Sequence, residues 1–231
     1  MISLPISEEK FCLKERPMTN IHPLYQAILE GNAGLARSSA EEALQQGLDP
    51  QKILDEQMIP AMDKVGKLFE ENEYFVPELL ISARAMKAAL EIIRPRLTET
   101  GAKPVGKVAI GTVKGDLHDI GKNLVASMLE GAGFEIIDIG VDSKPESFVE
   151  AVTKQGAQIV ALSALLTTTM PSMKGVIEAL KEAGLREKTK VMVGGAPVTQ
   201  RYSEEIGADG YCDNASGAVG LARRLIGISA A

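Results

Sequence analysis

The first third of the chain carries apolar residues at helical spacing. Between residues 22 and 97, four segments each place apolar side chains on one face, as helices with one buried side do. These positions are Leu24, Ile28 and Leu29; Leu35, Ala36, Ser39, Ala43 and Leu44; Ile53, Met58, Met62, Val65 and Phe69; and Leu80, Ala83, Ala85, Leu90 and Ile93. Pro95 is predicted to end the fourth helix. Four helices with short connections predict a small antiparallel four-helix bundle.

The pattern changes in the second half, where short apolar runs alternate with helical segments. Uninterrupted runs such as residues 159–162 suit strands that are buried on both faces. Strands are predicted near residues 107–111, 134–139, 157–163, 189–193 and 208–212. This alternation predicts an α/β fold, a flavodoxin-like, doubly wound parallel five-stranded sheet preceded by the bundle.

The chain therefore divides into four parts. Residues 1–20 mix prolines, charges and scattered apolar groups, and are interpreted as an N-terminal arm. Residues 21–97 form the helical domain, residues 98–104 a linker with Gly101 and Pro104, and residues 105–231 the Rossmann-like domain.

The composition indicates which kinds of partner the protein can bind and in which cellular compartment it is expected. A net charge of -6 argues against nonspecific nucleic-acid binding, which needs a basic face. Cys12 and Cys212 suggest neither a disulfide framework nor a zinc site, and Cys212 is expected to be a small buried apolar residue. We found no signal peptide and no run of about 18 apolar residues, so a cytoplasmic protein without membrane contact is expected.

One motif carries candidate chemistry. The sequence Gly-Asp-Leu-His-Asp-Ile-Gly at residues 115–121 lies between a predicted strand and a helix, at the sheet edge where α/β folds bind ligands. Asp116 can accept one ring N–H of His118, which leaves the other ring nitrogen for a metal. Asp-x-His-x-x-Gly alone is more often a solvated turn with a helix cap.

Two further motifs favour the ligand site. Ser163-Ala164-Leu165 follows the third predicted strand and Gly194-Gly195 follows the fourth. Together with Asp-x-His-x-x-Gly they resemble the cobalamin-binding domains of corrinoid proteins in methyltransferase systems, including the cobalamin module of methionine synthase. The resemblance implies a cobalamin cofactor in the base-off/His-on state. His118 would be the lower axial ligand of cobalt and Asp116 its hydrogen-bond partner.

The same resemblance implies further site residues. Thr169 stands where methionine synthase has a serine, and would complete a relay with Asp116 and His118. Ser163 and Thr167 would line the slot for the cofactor's nucleotide tail. The full set implied for cofactor binding is Asp116, His118, Asp119, Gly121, Ser163, Leu165, Thr167, Gly194, Gly195, Asn214 and Ala215. The helical domain would act as a cap over the upper cobalt face, with Tyr74, Phe75 or Leu79 as contacts.

By resemblance, the protein is a methyl carrier cycling between Co(I) and methyl-Co(III) and is not catalytic alone. Its partners would be a substrate-specific methyltransferase, an acceptor methyltransferase of the tetrahydrofolate or coenzyme M type, and a reductive activase. Alternatives are the cobalamin subunit of a radical isomerase, which should lack the helical cap, and a cobalamin-binding transcriptional sensor, which would normally have a basic DNA-binding segment. A flavin or nucleotide module on the same fold is a further alternative.

Overall fold

The computed structural model describes residues 22–101 and 104–228. The predicted arm at residues 1–20 lies outside the described residues, as do residues 102–103 of the predicted linker. No helix in the described ranges is long and apolar enough to cross a membrane.

The helical domain consists of α1 (Pro23–Leu29), α2 (Ala33–Gln45), α3 (Pro50–Ile53), α4 (Ile59–Glu70) and α5 (Val76–Glu99). A π-helical turn, Leu54–Met58, joins α3 to α4 without a break, so this part of the chain forms four helical rods, as predicted. Local capping sets two of the helix starts, because Asn32 accepts a hydrogen bond from the Leu35 N–H and Asp49 accepts one from the Gln51 N–H.

The prediction that Pro95 ends the last helix was wrong, because α5 continues through Pro95 to Glu99. Pro95 cannot donate to the carbonyl of Glu91, but both residues lie on the exposed side of the helix, where that carbonyl can be hydrated. Ile93 is fully buried beside them, and this packing favours continuation. The first residues of the predicted linker are therefore helical.

The second domain has the predicted fold class. Its strands are β1 (Lys107–Val113), β2 (Glu135–Ser143), β3 (Ile159–Ser163), β4 (Lys190–Gly194) and β5 (Gly210–Cys212). In the described residues they form one parallel sheet of order β2-β1-β3-β4-β5, the flavodoxin-like order. The helices that alternate with them are α6 (Ile120–Gly131), α7 (Pro145–Gln155), α8 (Pro171–Glu182), α9 (Gln200–Ile206) and α10 (Ala215–Leu225).

The two faces of the sheet belong to different hydrophobic cores. Val160 and Val191 pack with α7 and α8 on one face. Ile110 and Ala161, on the other face, share a core with α6, α10 and the interior of the helical bundle. The bundle and this sheet face therefore form one continuous apolar unit, with α4 and α5 packed on α6 and α10.

Candidate functional site

A cavity of about 620 Å³ opens at the carboxyl ends of the strands, where the strand order reverses between β1 and β3. Its walls come from the loop after β1, the first turns of α6, the ends of β3 and β4, and the start of α10. Small and apolar residues form its interior, among them Ile110, Leu124, Val125, Ala161, Met192, Ala215 and Ala218.

His118 lies at the rim of this cavity, in the loop between β1 and α6. Its Nδ1 lies 2.7 Å from Oδ1 of Asp116, and its backbone N–H donates to the same oxygen at 3.1 Å. The carbonyl of His118 accepts from the Thr112 hydroxyl at 2.8 Å. The His118 side chain is 50% exposed, so its ring is fixed through Nδ1 while Nε2 is the nitrogen that a metal can take.

Asp116 is fully buried and ties the His118 loop to the loop after β3. Its second oxygen, Oδ2, accepts from the Leu165 N–H at 2.8 Å, the Leu166 N–H at 3.3 Å and the Thr169 hydroxyl at 2.7 Å. Burial by itself raises the pKa of Asp116. Hydrogen bonds, led by those from Thr169 and His118, more than offset this and hold the pKa well below its usual range, so the group is a carboxylate.

The predicted residues of the loop after β3 occupy different places. Ser163 and Leu165 line the cavity, and Thr169 is buried against Asp116. Thr167 is exposed on the same loop and does not line the cavity.

Three predicted glycines lie at the cavity wall for two different reasons. A Cβ on Gly195, whose φ is +124°, would lie 1.9 Å from the carbonyl oxygen of Ala164, and a Cβ on Gly194 would lie 3.0 Å from that of Cys212. These two glycines are therefore needed by the protein's own backbone packing. A Cβ on Gly121 would meet open space, so its missing side chain leaves room at the wall.

The start of α10 closes the far side of the cavity. Asn214 caps α10 by accepting from the Gly217 N–H at 2.7 Å, and both Asn214 and Ala215 line the cavity. Asp119, at the start of α6, also lines it and accepts from the Asn123 side chain. Cys212 was expected to be a small buried apolar residue; it is partly buried and lines the cavity as well.

A second cleft, of about 520 Å³, lies between the bundle and Asn214. It shares Phe69 and Asn214 with the first cavity and is also lined by Tyr74 and Phe75. Leu79, the third predicted cap contact, is instead fully buried in the bundle core. Tyr74 is held by its hydroxyl, which donates to the Leu29 carbonyl at 3.2 Å, while 61% of Phe75 is exposed.

Sequence reasoning missed several residues of this site. Leu117 and Ile120 flank His118 and are 72% and 81% exposed beside the cavity. Lys122 is buried at the wall, with Nζ 2.6 and 2.7 Å from the two carboxylate oxygens of Asp138 on β2. No signal in the local sequence pointed to Lys122, because its partner Asp138 lies on a different element.

Among the described residues, no group of three or more His, Cys, Asp or Glu side chains could hold a metal ion.

Comparison with known proteins shows the family to which this chain belongs. Two family models, both described as B12 binding domain, match residues 106–220 and residues 21–94. A corrinoid protein of Desulfitobacterium hafniense is 40% identical over 91% of this chain and 99% of its own. A dimethylamine corrinoid protein of Methanosarcina acetivorans is 46% identical over 81% of this chain and 89% of its own.

One of the similar solved structures is a protein complex. The methanol:cobalamin methyltransferase complex MtaBC of Methanosarcina barkeri contains a chain that matches this fold with a TM-score of 0.80 at 31% identity, covering 90% of this chain and 80% of that chain. The helical bundle, the flavodoxin-like sheet and the His118 loop define a cobalamin-binding protein. The chain belongs to the corrinoid protein family of methyltransferase systems.

Proposed function

We propose that this protein binds cobalamin in the base-off/His-on state and carries a methyl group between two methyltransferases. The observation that carries the proposal is the His118–Asp116 pair at the rim of a deep apolar cavity. Asp116 fixes the Nδ1 side of the ring, and Nε2 remains for cobalt.

The residues present fit this cofactor. Cobalamin would bring most of the ligands of its cobalt with it, so Nε2 of His118 alone could hold the metal to the protein. The aromatic base of the displaced nucleotide tail would need an apolar slot, which the 620 Å³ cavity offers between the sheet and α10. Its wall is built from small residues such as Ala161, Ala215 and Ala218, and the open space beside Gly121 allows a flat ring to approach.

Bound cobalamin would supply the cobalt chemistry by which a methyl group is accepted and passed on. The role of the protein would be to supply and orient the His118 nitrogen that binds cobalt. Asp116 holds the proton on Nδ1 of His118, so the lone pair stays on Nε2. The hydroxyl of Thr169 and the N–H groups of Leu165 and Leu166 keep Asp116 ionised and oriented.

The second cleft supports a capping role for the bundle. Phe69, Tyr74 and Phe75 line the space next to the cavity, where they would exclude water from the upper face of the corrin. Methyl transfer then requires a partner that binds when this cleft opens.

We propose as partners a substrate-specific methyltransferase, an acceptor methyltransferase of the tetrahydrofolate or coenzyme M type, and a reductive activase. The first is supported by likeness to a chain from a methanol:cobalamin methyltransferase complex. The dimethylamine corrinoid protein points to methylated amines as a second donor class. The choice of donor belongs to the partner enzyme.

The test is spectroscopic. Apoprotein is loaded with hydroxocobalamin and reduced to Co(II), and the electron paramagnetic resonance spectrum is recorded with ¹⁵N-labelled protein. The wild type should show superhyperfine splitting from one protein nitrogen. His118→Ala should lose it and give a base-off spectrum.

The matched control is His22→Ala, since the sequence has two histidines. His22 precedes α1 in the bundle and does not line the cavity, so its replacement should leave the splitting unchanged. Splitting that persists in His118→Ala, or that is unaffected by ¹⁵N labelling of the wild-type protein, would contradict the ligand assignment.

A further inference from the structure

The carboxyl end of β2 departs from regular pairing beside the His118 loop. Two register shifts against β1 each add one residue to β2, so that Ile110 pairs with Asp138, Gly111 with Gly140, and Val113 with Ser143. Gly140 has a φ of +92°, and Asp142 has a φ of +48°. Asp142 is therefore a non-glycine residue in the left-handed region, a conformation that the surrounding structure must hold.

Two reciprocal hydrogen bonds hold it there. The Asp142 carboxylate accepts from the Gly115 N–H at 2.7 Å, and the Asp142 N–H donates to the Asp116 carbonyl at 2.9 Å. Asp142 thus clasps the two residues that lead into the His118 loop, one through its side chain and one through its backbone.

This clasp acts on the same residue that orients His118. The backbone of Asp116 is held by Asp142 from the β2 side, and its carboxylate is held by the loop after β3. Oδ1 of Asp116 orients the His118 ring through its 2.7 Å contact with Nδ1. The position of Oδ1 therefore depends on the bond from Asp142 to the Asp116 backbone and on the bonds from the loop after β3 to the Asp116 carboxylate. Asp142 itself does not line the cavity and does not contact His118 in any hydrogen bond described above.

We infer that Asp142 is a positioning residue for the metal ligand: its clasp on Gly115 and Asp116 fixes the ring orientation and tautomer of His118. The part of this inference that concerns cobalt rests on the proposed function. The part that concerns the His118 ring does not, and can be measured in the apoprotein.

Three substitutions separate the acceptor from the backbone conformation. Asp142→Asn keeps a side-chain oxygen and a residue type that tolerates positive φ. Asp142→Gly relieves the backbone but removes the acceptor, and Asp142→Ala removes the acceptor and keeps the backbone cost. Asp142 is exposed, so all three proteins should fold, which circular dichroism will check.

The first readout is nuclear magnetic resonance of the apoprotein at a fixed alkaline pH. Ring nitrogen shifts of His118 should report a proton on Nδ1 in the wild type and in Asp142→Asn. In Asp142→Gly and Asp142→Ala they should move toward a mixture of the two tautomers, while those of His22 stay constant. Amide exchange at Gly115 should become about tenfold faster in both, as expected for the loss of one hydrogen bond.

The second readout is the Co(II) spectrum of the loaded protein, in which the fraction with nitrogen splitting should fall in Asp142→Gly and recover in Asp142→Asn. The inference would be overturned if the ring nitrogen shifts of His118 in Asp142→Gly and Asp142→Ala were the same as in the wild type, whatever the amide exchange rate of Gly115. Failure of these two variants to fold would also overturn it, since the role would then be structural. If the wild type binds no cobalamin, the proposed function fails. The His118 shifts of the apoprotein would still show whether Asp142 positions the ring.

Discussion

At the scale of single residues, Asp116 is the centre of the site. Its carboxylate is fully buried and accepts hydrogen bonds from five donors. These are the hydroxyl of Thr169, Nδ1 of His118, and the backbone N–H groups of His118, Leu165 and Leu166. A carboxylate that accepts several hydrogen bonds can remain ionised without exposure to water. Asp116 thereby joins two loops from neighbouring strands.

Asp116→Asn should destabilise the apoprotein. An amide presents two N–H donors where every partner is itself a donor, so at least one buried hydrogen bond is lost. We expect the free energy of unfolding to fall by about 1–3 kcal/mol, measured by urea denaturation.

The matched control is Asp119→Asn in the same loop. Asp119 is exposed and accepts from a single neighbouring side chain, so its replacement should change stability by less than about 0.5 kcal/mol. Equal effects of the two substitutions would show that the Asp116 network contributes no stability.

Cys212 should react slowly with alkylating reagents. Burial is the main cause of the raised pKa of the Cys212 thiol. A raised pKa means that the thiolate forms only at higher pH, so at neutral pH labelling should be slower than for free cysteine and should increase as the pH rises.

Iodoacetamide labelling followed by mass spectrometry tests this in a Cys12→Ser background. Because Cys212 lines the cavity, loading with cobalamin should protect it further. Labelling at the rate of free cysteine, with no effect of loading, would contradict its place at the cavity wall.

At the scale of secondary structure elements, the contact of α4 with α10 positions the bundle. A Cβ added at Gly66 of α4 would lie 2.7 Å from Oγ of Ser216 and 3.5 Å from its Cβ. The ion pair between Asp63 and Arg223 spans the same two helices, with Nη1 to Oδ1 at 3.1 Å. The close approach of the Ser216 side chain to Gly66 and the Asp63–Arg223 ion pair therefore both stabilise the contact between α4 and α10.

Gly66→Ala should cost more than loss of the ion pair. The added methyl group displaces the Ser216 hydroxyl at a packed contact, which costs about 1–3 kcal/mol, and the gain of about 1 kcal/mol from replacing Gly by Ala inside a helix offsets only part of this cost. Asp63→Asn should cost less than about 1 kcal/mol, because the Asp63 side chain is 45% exposed and solvent screens the pair.

Thermal unfolding of the two variants and of Gly66→Ala/Ser216→Ala would measure this. The double variant should recover part of the stability that Gly66→Ala loses, because the colliding oxygen is gone. No recovery, or a larger effect of Asp63→Asn, would show that the close contact does not limit this interface.

At the scale of the whole molecule, the helical domain and one face of the sheet share a hydrophobic core. Met62 of α4 packs at Gly131 at the end of α6, where an added Cβ would lie 3.0 Å from its side chain. Met128 and Leu129 of α6 belong to the same core as Met58, Met62 and Ile93 of the bundle. Removing the bundle should uncover this apolar surface.

A fragment that begins at Pro104 should therefore have a lower melting temperature than the full chain and should bind the dye ANS. A fragment of residues 22–101 added in trans should reduce dye binding, and an unrelated helical protein should not. A fragment as stable as the full chain, without dye binding, would mean that the two domains fold on separate cores. If it binds cobalamin, its Co(I) form should also oxidise faster than that of the full chain, because the upper face is uncovered.

Much of the fold was determined by local sequence. The helical period before residue 97 and the alternating strands after residue 107 predicted the bundle and the parallel sheet, because periodicity reports which face of an element is buried. The position of His118 after β1 predicted its place at the sheet edge, since parallel strands end together. Asp116 was predicted as its partner because the two residues are neighbours in the chain.

The tertiary structure decided what depends on distant contacts. The helix continues past Pro95 because Ile93 is buried in packing that no local rule contains. Strand β3 brings Leu165 and Leu166 to Asp116, and strand β2 brings Asp142 to it. All three donate to Asp116 through their backbone N–H groups, and the type of a residue does not predict such bonds. The sequence alone thus determined the order of elements and the residue pair of the site, whereas long-range packing set the geometry of that pair.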